Sequence, residues 1–253
     1  MDMGLKDRTV LVTGGSSGIG AAIARAYAAE GARVALTYRS GSEDAERLAR
    51  ELGGVRDAAM AVRYSLAEPG TLESAVAAVT ERWSGVDVLV ANAVRWAPRR
   101  APGEHFEDVA VGDWWGFLDD NLAPTLRTVQ LVVPGMRARS WGRIVLISSH
   151  VALDGHRGQE FYGAAKSALH GFARSLAWDV GGDGILVNVV CPGLTTTDRV
   201  LTGLPGEIRQ REVRSTPTGR LSSPEDIAGT VLFLGSAANG NTTGQTLTVA
   251  GGR

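Results

Sequence analysis

Seven short runs of Val, Ile, Leu and Ala, separated by longer stretches of helical periodicity, leave this chain few ways to fold. The runs are Thr9–Val12, Arg33–Tyr38, Ala58–Val62, Asp87–Ala91, Arg143–Ser148, Ile185–Cys191 and Thr246–Val249. Their near-continuous apolar content fits strands covered on both faces rather than strands with one wet side. Between them, Ile19, Ile23 and Tyr27 repeat at i+4, and Leu72, Ala75, Val76, Val79 and Trp83 form a helical stripe. Strands alternating with amphipathic helices build βαβ units, so the expected class is α/β: one doubly wound, seven-stranded parallel sheet with helices on both faces. A length of 253 residues suits a single such domain spanning 1–253.

Composition excludes several other classes. Lys and Arg (26) balance Asp and Glu (27) for a net charge of -1, which argues against a nucleic-acid partner or an anionic membrane surface. The one cysteine, Cys191, cannot form an internal disulfide, and the four histidines show no metal-ligand spacing. No apolar run reaches the ~20 residues needed to span a bilayer. The first residues, Met1 to Arg8, lack the apolar core of a secretory signal. The expectation is a cytoplasmic protein without a membrane partner or a metal.

Two irregular stretches follow strand candidates at their carboxyl ends, where ligands sit in open α/β sheets. Segment 95–111 carries Pro98, Pro102 and Gly103, and segment 192–217 is rich in Thr, Arg, Gly and Pro. Both are expected to be substrate loops, because long structureless segments in compact domains are usually functional.

The first of the runs leads straight into Thr13-Gly-Gly-Ser-Ser-Gly-Ile-Gly20 and then a helix. Gly14 can make the tight turn, Gly18 lets backbone approach a pyrophosphate, and Gly20 permits close helix–strand packing. The helix amino terminus offers N–H groups and a positive dipole end to phosphate. Gly14, Ser16, Ser17, Gly18, Ile19 and Gly20 are therefore candidate contacts to a dinucleotide. After the second run stands Tyr38-Arg39-Ser40, with no acidic residue to bind ribose hydroxyls and repel a 2′-phosphate. The Arg39 guanidinium can pair with that phosphate. NADP(H) is the preferred cofactor, with NAD(H) the alternative.

Tyr162 and Lys166 are four apart, so a helix puts both on one face. An ammonium beside a phenol favours the phenolate, so the Tyr162 pKa is expected to fall toward working pH, making it a general acid or base. Ser149 lies 13 residues before Tyr162; Ser148 is its fallback, since strand residues alternate between faces. His150 and His156, in the intervening loop, read as structural or solvent-facing, and His105 and His170 suggest no better role. Trp96 is a candidate pocket residue, Asp113 a candidate N-cap with Trp114 anchoring the helix start, and Cys191 a buried strand-end residue with no base near it.

The motifs Thr13-Gly14-x-x-x-Gly18-x-Gly20, Asn92-Ala93, Asn121, Ser149, Tyr162-x-x-x-Lys166 and Pro192-Gly193 resemble, in order and spacing, the short-chain dehydrogenase/reductase superfamily. The resemblance extends to Gly219-Arg220, Pro224-Glu-Asp226 and Thr243-Gly244-Gln245 and so covers the whole chain. Within the superfamily it is greatest to 3-oxoacyl-[acyl-carrier-protein] reductases and polyketide ketoreductases. The resemblance implies a Rossmann fold and a catalytic set of Asn121, Ser149, Tyr162 and Lys166. Ser149 would hold the substrate oxygen, Tyr162 would donate its proton, Lys166 would grip the nicotinamide ribose and Asn121 would hold a water leading to solvent. It further implies cofactor contacts at Ser65, Asn92, Ala93, Tyr162, Lys166, Pro192, Gly193, Thr195 and Thr197. Departures from the family pattern are Val94 for glycine, Ser65 for an acidic residue and Ala250 for aspartate, while Ser140 and Asp183 stand where carrier-protein reductases often have arginines.

The implied activity is NADPH-dependent reduction of a 3-oxoacyl or polyketide-like ketone, free or carrier-bound. Oxidation of a secondary alcohol such as a sugar, polyol or steroid is the second reading, and a non-catalytic nucleotide sensor the third. A homotetramer through helices near Asp113–Arg139 and Phe161–Val180 is expected, with a dimer as the alternative.

Overall fold

The structure is a computed structural model that describes residues 2–96, 100 and 103–253; Pro98 and Pro102 of the first irregular segment lie outside the described residues. Its strands are β1 (Thr9–Val12), β2 (Arg33–Tyr38), β3 (Ala59–Arg63), β4 (Val88–Ala91), β5 (Gly142–Ile147), β6 (Ile185–Pro192) and β7 (Thr246–Val249). All six pairings are parallel, in the order β3-β2-β1-β4-β5-β6-β7. The chain thus winds outward from β1 in one direction and returns to continue from β4 in the other. The crevice at that reversal, beyond the carboxyl ends of β1 and β4, is where open sheets of this kind accept ligands.

The helices are α1 (Gly18–Ala29), α2 (Ser42–Gly53), α3 (Gly70–Trp83), α4 (Val111–Ala138), α5 (Val151–Asp154), α6 (Glu160–Val180), α7 (Asp198–Gly203), α8 (Gly206–Arg214) and α9 (Pro224–Leu234). Strand residues alternate between two cores, as the pleat requires. Val10, Val12, Val34, Leu36, Val88, Val90, Val145 and Ile147 face α1, α2 and α9. Leu11, Ala35, Leu89, Ala91, Ile144 and Leu146 face α3, α4 and α6. Burying a Val or Leu side chain stabilises by roughly 1.5–3 kcal/mol, so this double cover is the main source of the fold's stability.

The 192–217 segment, expected to be irregular, carries α7 and α8; the other differences from the sequence expectation fall at element ends. Asp87 is not in β4, because its carboxylate accepts a hydrogen bond from the Thr9 N–H at 2.9 Å and pairs with Arg139 at 3.1 Å. Pro192 joins β6, in register with Val249. Asp113 is not the N-cap of α4. Ala110 takes that position and the helix begins at Val111, which places Asp113 in the first turn, where its charge complements the helix dipole. The capping box appears instead at α9, where Ser223 Oγ accepts from Asp226 N–H at 3.2 Å and the Asp226 carboxylate accepts from Ser223 N–H at 2.7 Å.

Candidate active site

The turn after β1 is shaped by close backbone approach. Gly14 has φ +64°, and a Cβ there would lie 3.1 Å from Ala93 Cα. A Cβ on Gly20 would sit 2.2 Å from the Gly14 carbonyl oxygen, so no side chain fits. Asn92, at the end of β4, donates from Nδ2 to the carbonyls of Thr13 (3.0 Å) and Gly14 (3.1 Å). The side chain of Asn92 therefore ties β4 to the turn, a role its sequence position alone did not reveal. Ser17 caps α1 with no side-chain hydrogen bond, which leaves the first-turn N–H groups without a side-chain acceptor. That is the donor set a phosphate needs.

Thr197 lies over this turn: a Cβ on Gly18 (φ +51°) would meet Thr197 Cγ2 at 3.3 Å. The segment after β6 is pinned by Gly193 N–H donating to the Val249 carbonyl at 3.0 Å and Thr195 Oγ1 donating to the Gly193 carbonyl at 3.0 Å. Gly193 packs so closely on Ala250 that a Cβ would come within 2.7 Å of the alanine Cβ. At the far end of the crevice Tyr38 is half-buried, while Arg39 and Ser40 are exposed. No carboxylate pairs with Arg39 among the described residues; its neighbour Arg63 is held by Glu68 at 2.7 Å and Arg47 by Asp44 at 2.7 Å. Ser65 is buried, with its backbone held by Thr71: its N–H donates to Thr71 Oγ1 at 2.8 Å and its carbonyl accepts from the same hydroxyl at 3.2 Å.

Asn121, Ser149, Tyr162 and Lys166 come from α4, the end of β5 and α6 and surround the carboxyl edge of the sheet. The Ser149 hydroxyl lies close enough to the Tyr162 phenol to oppose the rise in its pKa. Ser148 points elsewhere: its Oγ lies 3.1 Å from the Lys166 carbonyl and 2.8 Å from His170 Nε2. Asn121 is buried with both ends of its amide engaged, Oδ1 accepting from Arg95 N–H and Nδ2 donating to the Phe117 carbonyl, each at 2.9 Å. It thereby fastens the start of the 95–111 segment to α4, and a single lone pair on Oδ1 remains for a water.

The electrostatics correct one expectation. The Tyr162 phenol is pushed up to about 12, not down: burial is the main cause, the Ser149 hydroxyl opposes it and Cys191 adds to it. Lys166 is buried with its ammonium donating to the Ile147 carbonyl at 2.9 Å, and burial brings it down to about 8. With the ammonium turned to a carbonyl and half-way to neutral near pH 8, it supplies little field to the phenol. Two buried ionisable groups each retreat toward the neutral form.

Other candidates resolve simply. His150 is held at the Pro192 carbonyl by its backbone N–H at 3.0 Å and its ring Nδ1 at 3.3 Å, and His156 sits in an exposed loop. His170 has a role the sequence reading missed, since it contacts Ser148 and lies 3.6 Å from Cys191 Sγ. Cys191 is thus near a potential base after all, but burial raises its thiol pKa and keeps it neutral. Trp96 stacks on Tyr162, with centroids 5.8 Å apart and planes 20° apart. Among the described residues no group of three His, Cys, Asp or Glu could hold a metal ion, and no helix is long and apolar enough to cross a membrane.

Known proteins are similar to this chain in sequence and fold. A family model described as enoyl-(acyl carrier protein) reductase matches residues 14–253. The chain is 36% identical to the 3-oxoacyl-[acyl-carrier-protein] reductase of Vibrio cholerae serotype O1, covering 99% of this chain and 98% of that one. It is 35% identical to the acetoacetyl-CoA reductase of Shinella zoogloeoides, covering 97% and 98%, and 35% identical to the D-threitol dehydrogenase of Mycolicibacterium smegmatis, covering 99% and 94%. A solved structure of a short chain dehydrogenase/reductase family protein superposes with a TM-score of 0.85 at 36% identity, covering 99% of this chain and 98% of that one. The chain therefore belongs to the short-chain dehydrogenase/reductase family and is an oxidoreductase.

Proposed function

We propose that this protein reduces a ketone, of 3-oxoacyl or similar type, to a secondary alcohol using NADPH. The observation that carries the reading is the approach of Ser149 to Tyr162 at the sheet edge, beside the segment that lies over the glycine turn. The residues fit a dinucleotide: Gly14, Gly18 and Gly20 form a cradle that side chains would fill, and Ser17 leaves α1 open to phosphate. Gly14, Ser16, Ser17, Gly18, Ile19 and Gly20 would hold the pyrophosphate side. Tyr38, Arg39 and Ser40 would hold the ribose phosphate, and Asn92, Ala93, Pro192, Gly193, Thr195, Thr197, Tyr162 and Lys166 the nicotinamide side. When bound, the cofactor supplies the hydride that the carbonyl carbon accepts.

The remaining chemistry falls to the side chains. Ser149 and Tyr162 would both donate to the substrate oxygen, where negative charge grows. A phenol held near 12 stays protonated at neutral pH, so it carries the proton that the nascent alkoxide requires. Lys166 anchors the base of the site through Ile147, and Asn121 fixes the loop that borders it. The protonated phenol favours reduction, as do the names of the carrier-protein and acetoacetyl-CoA reductases; D-threitol dehydrogenase favours the second reading, alcohol oxidation.

A free ketone is the better-supported form of substrate. Of the arginines near the usual carrier-docking positions, Arg137 is paired with Asp179 at 2.7 Å and Asp183 at 3.2 Å, and Arg139 with Asp87. These charges are spent within the chain and present little to an acidic carrier. Trp178, 92% exposed on α6, supports assembly into a homotetramer across α4 and α6, with a dimer the alternative. A cytoplasmic location accords with this chemistry.

The cofactor assignment is tested by Arg39→Asp. The KM for NADPH should rise at least ~10-fold, because a charge-assisted contact of about 1.5–3 kcal/mol becomes a repulsion, while the KM for NADH stays within about twofold. Equal losses for both cofactors would remove Arg39 from the phosphate site.

A further inference from the structure

The two segments that border the reactive pair are held in different ways. Arg95, just before Trp96, is fastened to α4: its N–H donates to Asn121 Oδ1 at 2.9 Å and its guanidinium pairs with Asp120. Beyond Trp96, Arg100 is fastened near the start of α6. Its N–H donates to the Gly158 carbonyl at 3.4 Å and its guanidinium pairs with Glu160 at 2.9 Å.

The segment after β6 is looser, because α7 and α8 bury none of their residues. The two helices are joined where the Arg209 guanidinium donates to the Leu201 carbonyl. They are tied to the rest of the protein near their ends. Thr196 N–H donates to the Ser222 carbonyl at 2.9 Å, Thr218 N–H to the Gly251 carbonyl at 3.1 Å, and Glu212 pairs with Arg253. A segment with no buried apolar contacts between its fixed ends opens at low cost.

A contact crosses from this loose segment to the fastened one. The Arg199 guanidinium, from α7, lies over the Trp96 indole at 4.8 Å, and the indole stacks on the Tyr162 ring at 5.8 Å with planes 20° apart. Arg199 is exposed, and among the described residues no carboxylate pairs with it, so the indole is the partner that fixes its position. The protein's own groups thus cover the indole and, through it, one face of the reactive phenol.

We propose that Arg199 and Trp96 form a latch that holds the α7–α8 segment shut over Tyr162, so that a ketone enters only when the latch opens. The proposal goes beyond the ketone-reductase reading and takes from it only the kinetic readout. A closed state that cannot bind substrate weakens apparent affinity in proportion to its population. Breaking the latch should therefore improve substrate binding, the opposite of what losing a substrate contact would do. An exposed cation–π contact biases such an equilibrium roughly 2–5-fold, which is about 0.5–1 kcal/mol.

The test measures KM for ethyl acetoacetate, a 3-oxo ester, at saturating NADPH in wild type, Arg199→Met, Arg199→Lys, Trp96→Ala and the Trp96→Ala/Arg199→Met double variant. Arg199→Met should lower KM roughly 2–5-fold and leave kcat within about twofold. Arg199→Lys, which keeps a cation over the ring, should lie nearer to wild type. In the Trp96→Ala background, Arg199→Met should leave KM unchanged, because its partner is already gone. Acrylamide quenching of Trp96, read as the difference between each protein and its Trp96→Phe counterpart, should rise roughly 1.5-fold on Arg199→Met as the covering cation leaves. A KM that rises or stays the same in Arg199→Met, or that falls as much without Trp96 as with it, would overturn the latch and leave the reductase reading intact. A wild type that reduces no ketone would overturn that reading instead. The quenching comparison would then decide the latch alone, an unchanged value overturning it.

Discussion

Replacing Tyr162 with phenylalanine is expected to lower ketone reduction at least ~100-fold while NADPH still binds. The change removes one oxygen and keeps the ring, so the stack with Trp96 and the contact with Phe117 survive. What disappears is the proton donor beside Ser149. Ser149 remains to stabilise charge on the oxygen, but the alkoxide must then take its proton from water. The loss should fall on kcat, because the phenol acts on charge that exists only as the carbonyl is reduced. Because the phenol titrates near 12, kcat for reduction in the wild type should show no fall attributable to Tyr162 between pH 6 and 9. Undiminished turnover in the variant would remove Tyr162 from the chemistry.

Lys166→Met should weaken cofactor binding yet leave the fold at least as stable near neutral pH. The ammonium is buried with one carbonyl for a partner and no carboxylate, and burial brings it from 10.5 to about 8. Keeping it charged inside the protein costs about 3 kcal/mol below pH 8. Methionine removes that cost but leaves the Ile147 carbonyl unpaired, a penalty of about 1–3 kcal/mol. The net effect is a gain of about 0–2 kcal/mol, or roughly 0–6 °C in Tm for a chain of this size. The sign of the pH dependence follows from the depressed folded value. Between pH 8 and 10.5 the unfolded chain binds more protons than the folded one, so the wild type gains stability relative to the variant as pH rises through that window. Thermal melts at pH 7 and pH 10 check this. A variant several degrees less stable at both values would mean that the ammonium is well compensated where it lies.

The fold was largely legible from the sequence because strands buried on both faces must be apolar throughout, and all seven announce themselves as such runs. Only their ends moved, where Asp87 and Pro192 answer to partners distant in the chain. The glycine turn was legible for a related reason: Gly14 and Gly20 are required by backbone contacts that the strand–turn–helix pattern already implies. The pairing of Ser149 with Tyr162 followed from spacing and strand alternation. The electrostatics did not. Helical spacing places Tyr162 and Lys166 on one face, yet whether the ammonium serves the phenol or the Ile147 carbonyl depends on how β5 packs beneath α6. Likewise the contacts of His170 with Ser148, of Arg95 with Asn121 and of Arg199 with Trp96 join residues 22 to 103 positions apart, with no local pattern to announce them. Ser65 and Ala250, departures from the family pattern, also take their meaning from packing. One has its backbone held by Thr71, the other fills the space against Gly193.

A crystal structure of the protein with NADP+ and the alcohol product of a ketone it reduces would bear most directly on the mechanism. The product oxygen should lie within hydrogen-bonding distance of both Tyr162 Oη and Ser149 Oγ, with its carbinol carbon facing the nicotinamide C4. A product oxygen bound away from that pair, or a nicotinamide seated outside the crevice between β1 and β4, would contradict the account.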